Sequence, residues 1–201
     1  MRPRALLVIA ALAASLLPAP LRSAAASRPP GWCAQTLSQI RSLIVDAERY
    51  PPVNQDNAYH RFRDLNDPIV GLSPSQMMGG VIGQQCGQRV ELRLNLYDAW
   101  AAVLRDQAAA ALLPDAARCK TSRDAMIRYQ IANDATALIN PAVNLGLGDP
   151  DVRHVGDLLR VWAAQHAVQL PRIGDSAKTE ALLSRTSRAY DRDATNAPPG
   201  C

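Results

Sequence analysis

The sequence predicts an all-α protein, a single bundle of about five or six helices stapled by two disulfides. Three observations carry this. Apolar residues recur at helical spacing in separate segments, no segment keeps the alternation of a strand, and four cysteines follow an export-type leader.

The leader is read first. Arg2 and Arg4 give a positive start, Ala5 to Leu17 is a mainly apolar run of 13 residues, and Ala24-Ala25-Ala26 supplies the small residues of a cleavage site. Residues 1–26 are therefore expected to be a signal peptide cut before Ser27, since 13 residues fall short of a bilayer span. Residues 27–201 then form one exported helical domain, periplasmic or secreted, with a polar C-terminal tail and no membrane span after cleavage.

The helices follow in order. Cys33, Leu37, Ile40, Ile44 and Ala47 mark one face of a helix over 33–47, which Tyr50-Pro51-Pro52 ends. Residues 51–56 read as a loop and 57–65 as a short helix stopped at Asn66-Asp67-Pro68. Residues 75–87 read as a weak helix, because four glycines interrupt it at about 1 kcal/mol each. The Leu- and Ala-rich stretch 89–113 is the strongest helix, closed by Pro114. A further helix spans 116–139 up to Asn140-Pro141, and Asn144 to Gly148 is a loop. Asp149-Pro150 starts a helix to about Val168, and a last one covers roughly 176–190.

Cys33, Cys86, Cys119 and Cys201 allow three pairings. An 86–119 bridge would have to span the long helix, about 36 Å at 1.5 Å per residue, against the roughly 7 Å that a disulfide tolerates. The pairing 33–86 with 119–201 is preferred, and 33–119 with 86–201 comes second.

Charge narrows the function. The whole chain has 22 basic and 18 acidic residues; removing Arg2, Arg4 and Arg22 with the leader leaves a net charge near +1. That argues against a nucleic-acid partner. His60, His154 and His166 lack metal-ligand spacing, and no CxxC, P-loop, G-x-S-x-G or dinucleotide motif occurs, so no cofactor is expected. On helical wheels Arg89 and Arg93 fall on the apolar side of their helix, as do Asp124 and Arg128 on theirs, each pair four residues apart. These four are the candidate ligand-binding residues, although such charges can equally be solvated in terminal turns or paired internally.

The leading expectation is an exported binding, inhibitor or accessory protein without catalytic activity. Its partner would be another envelope or extracellular protein, or a small anionic ligand. The alternative is an exported all-α enzyme with an arginine-lined pocket for a carboxylated metabolite. That would be like the secreted chorismate mutases in design only, since their motifs are absent.

Overall fold

In the computed structural model, which describes residues 31–49 and 86–201, six α-helices and one 3-10 turn build the bundle. They are α1 (Trp32–Arg49), α2 (Gln88–Ala111), the turn Ala117–Cys119, α3 (Lys120–Ala137), α4 (Ile139–Leu145), α5 (Pro150–Gln165) and α6 (Ser176–Thr195). The leader, the loop 51–56, the helix expected over 57–65, most of 75–87 and His60 lie outside the described residues. No helix among the described residues is long and apolar enough to cross a membrane.

α2 is the central element. It buries Leu94, Leu96, Ala99, Trp100, Val103 and Ala110, residues that face several directions. Such a helix is surrounded, not laid on a surface. α1 contributes Ile40 and Ile44, α3 Ile127 and Ile131, and α5 Val152, Val155, Leu159 and Trp162. Even a charged residue is covered: Asp106 is only 8 % exposed, with its carboxylate held by Arg105 at 2.8 Å.

Cys33 bonds Cys86 and Cys119 bonds Cys201, with Cα separations of 5.8 and 5.3 Å. The first bridge ties the start of α1 to the residues just ahead of α2. Further along, Arg41 and Arg93 share Asp151, and Glu48 meets Trp100. α1 and α2 therefore run parallel. The second bridge ties the start of α3 to the tail beyond α6. These two helices run antiparallel, with Tyr129 stacked on Tyr190 at 5.4 Å.

Helix limits differ most from expectation in four places. α3 starts at Lys120, four residues after the expected 116, because the turn Ala117–Cys119 precedes it. Asn140-Pro141 does not end the helical path: the chain bends at Leu138 and α4 begins, running into the expected loop as far as Leu145. Pro141 is its third residue, where the missing N–H would have had no intrahelical partner. α5 ends at Gln165, short of Val168. Ala167 takes φ 55°, and Val168 N–H donates to Ala163 O at 2.8 Å while Ala167 N–H donates to Ala164 O at 3.3 Å. That is a Schellman closure with alanine where glycine is usual. α6 continues to Thr195, so the tail is shorter than expected. Its start is capped by Asp175, which accepts from Lys178 N–H at 3.2 Å.

Candidate functional site

Asp149 caps α5, accepting from the N–H groups of Asp151 at 3.0 Å and Val152 at 3.2 Å. Both acids also face α2. Arg93 donates to Asp149 at 3.0 and 2.6 Å and to Asp151 at 3.5 Å. Arg41 of α1 donates to Asp151 at 3.1–3.2 Å, and the Tyr97 hydroxyl donates to it at 3.4 Å. Burial alone would raise the Asp149 carboxyl; Arg93 and the helix N–H groups outweigh it, and the net shift is downward. Burial, with the Asp151 charge behind it, pushes the Tyr97 phenol up to about 12. Two arginines against two carboxylates make this junction of α1, α2 and α5 a matched lock.

One turn further along α5, Glu48 accepts from the Trp100 indole N–H at 3.1 Å and meets His154 Nε2 at 2.9 and 3.0 Å. The His154 ring stands edge-on to Trp100 at 5.0 Å. His154 then lines a groove of about 420 Å³ between α2, α3 and α5. Ala110, Ile127 and Trp162 belong to the core and also line this groove, while Val161 projects into it 60 % exposed. His166 lines it too, against Trp162, and burial pushes its imidazole down toward the neutral form.

A second cleft, of about 410 Å³, lies between α3 and α6. Lys120, Arg128, Arg185 and Arg192 line it together with Asp124 and Asp193. Lys120 pairs with Asp124 at 2.8 Å and Arg192 with Asp193 at 2.7 Å.

The four residues singled out by sequence are not brought together. Arg93 belongs to the lock, 25 % exposed at its side chain. Asp124 and Arg128 line the α3–α6 cleft. Arg89, in the first turn of α2, is exposed and has no partner among the described residues. Sequence reasoning missed Arg41, Glu48, Tyr97, Asp149, Asp151 and His154. The one available signal was Asp149-Pro150-Asp151, a helix start carrying two carboxylates. No group of three or more Asp, Glu, His or Cys among the described residues could hold a metal ion. No protein-family profile, curated protein or solved structure matches the chain.

One buried group stands apart. Asp134 of α3 is fully buried, and neither carboxylate oxygen has a hydrogen-bond partner among the described residues; Gln130 Oε1, one turn earlier, also lacks one there. Burial raises the Asp134 carboxyl well above its ordinary value, and the Asp106 charge adds to this while Arg105 opposes it. The ionisation penalty of a raised carboxyl is absent below its unfolded-state pKa and grows as pH rises from there to the folded value, on top of the pH-independent cost of burying an unpaired polar group. Asp134→Ala is therefore expected to stabilise the protein at neutral pH by about 1–3 kcal/mol. The gain should shrink toward about pH 4. Urea denaturation at both pH values checks this; an equal effect at both would refute the assignment.

Proposed function

We propose that this chain is an exported, periplasmic or secreted binding protein without catalytic activity, and that it seats another envelope or extracellular protein in the groove along α5. The observation that carries the reading is the groove itself: an apolar cleft with an exposed valine at its lip, polar groups around it, and helices anchored by disulfides. Its volume of about 420 Å³ suits an apolar anchor side chain from a partner, the kind of contact that dominates interface energy. Two disulfides accord with an oxidising compartment. The enzyme alternative rested on Arg89, Arg93, Asp124 and Arg128 lining one pocket, and their separation removes that support.

The test is comparative capture from the native envelope fraction with tagged protein and its Val161→Glu variant. Val161 is 60 % exposed, so the variant should keep its melting behaviour to within about 0.5 kcal/mol. A protein held by the wild type and lost by the variant is the expected result. Identical captured sets from the two would overturn the groove as the binding site.

A further inference from the structure

We propose that the cleft between α3 and α6 is a binding site for a dianionic phosphoryl group, free or carried on a larger molecule. The inference is independent of the groove on α5. Of the six charged residues lining the cleft, Lys120 and Arg192 are neutralised by Asp124 and Asp193. That leaves Arg128 on α3 and Arg185 on α6, which line the same cavity and have no acidic partner among the described residues. Both are exposed at the cleft, and neither is paired with a carboxylate of its lining, so the cleft carries two positive charges that its own acids leave unneutralised. Each guanidinium offers a planar fork of donors that matches an oxyanion. A phosphoryl dianion concentrates two charges on one tetrahedral group and can accept from both forks at once. A dicarboxylate of equal charge divides its charges between two ends. The cleft volume of about 410 Å³ lies in the range of small-molecule sites, about 300–1,000 Å³.

Inorganic phosphate is the probe, titrated calorimetrically into the full-length oxidised protein. The titration runs at about pH 8, where phosphate is a dianion, in about 0.15 M salt to screen distant charges. The wild type is expected to bind one phosphate saturably. Arg128→Gln/Arg185→Gln is expected to weaken binding roughly tenfold or more. The charge-matched control Arg153→Gln/Arg172→Gln, which alters two exposed arginines outside the cleft lining, should bind as the wild type does. If the first double variant does not fold, the single variants Arg128→Gln and Arg185→Gln carry the same comparison. Absence of saturable binding, equal loss in the control, or tighter binding of malonate than of phosphate would each overturn the proposal.

Discussion

Reduction of both disulfides is expected to lower the melting temperature by about 15–30 °C while much of the helical circular dichroism survives in the cold. The two bridges close rings with sequence separations of 53 and 82 residues. On the chain-entropy account each restricts the unfolded ensemble by about 4 kcal/mol. A domain of this size has a total stability of about 5–15 kcal/mol, so losing both removes most of the margin. Ring length enters only logarithmically and separates the two bridges by a few tenths of a kcal/mol. Any larger difference between Cys33→Ala/Cys86→Ala and Cys119→Ala/Cys201→Ala would report packing, and Cys119 is the more deeply buried of the two helix-start cysteines. Alkylation of the denatured, unreduced protein should label no cysteine. A melting curve unchanged by complete reduction would refute a structural role for the bridges.

Arg93→Met should cost about 2–3 kcal/mol, the worth of hydrogen bonds to charged groups, whereas Arg89→Met should change stability by less than about 0.5 kcal/mol. Both substitutions keep an apolar stem and remove one charge. Only the first strands Asp149 and weakens the hold on Asp151. The pH dependence follows from Asp149, whose carboxyl is held below its ordinary value. A depressed carboxyl stabilises the fold above its unfolded-state pKa, near 4, and that stabilisation disappears as pH falls through the folded value. The gap between wild type and Arg93→Met should therefore stay constant from neutral to mildly acidic pH and narrow in stronger acid. Urea midpoints across that range measure it. Equal costs for the two arginines, or a gap unaffected by acid, would contradict the assignment of Arg93 to the lock.

Helices are local objects, and their positions were legible for that reason. The apolar spacing of Ile40 and Ile44 and the capping signal at Asp149-Pro150 depend on neighbours within a turn or two. The disulfide pairing was legible because helix length is a ruler. What the wheel could not show was the other half of each contact. Arg93 finds Asp149 across 56 residues, and Glu48 finds His154 across 106. On the wheel Arg89 and Arg93 are equivalent, and only the arrival of α5 beside the second distinguishes them. The burial of Asp106 is hidden for a related reason: a single-face wheel presumes one partner, and α2 has several. Pro141 misled because proline reads as a stop, whereas a bend just before it makes it part of a new first turn.

The order of the cysteines has a consequence for how the protein is made. The two rings follow one another along the sequence: the first closes before the second begins. For a chain that crosses a membrane N-terminus first, Cys86 reaches an oxidising compartment while Cys119 is still 33 positions behind. The correct mate is then the sole cysteine available to Cys33. On such a route, Cys119 would emerge after its predecessors are spent, leaving Cys201 as its mate. An oxidase that simply joins thiols as they appear would write the native connectivity without editing. A protein with interleaved rings would need an isomerase to reshuffle early mistakes, over seconds to hours.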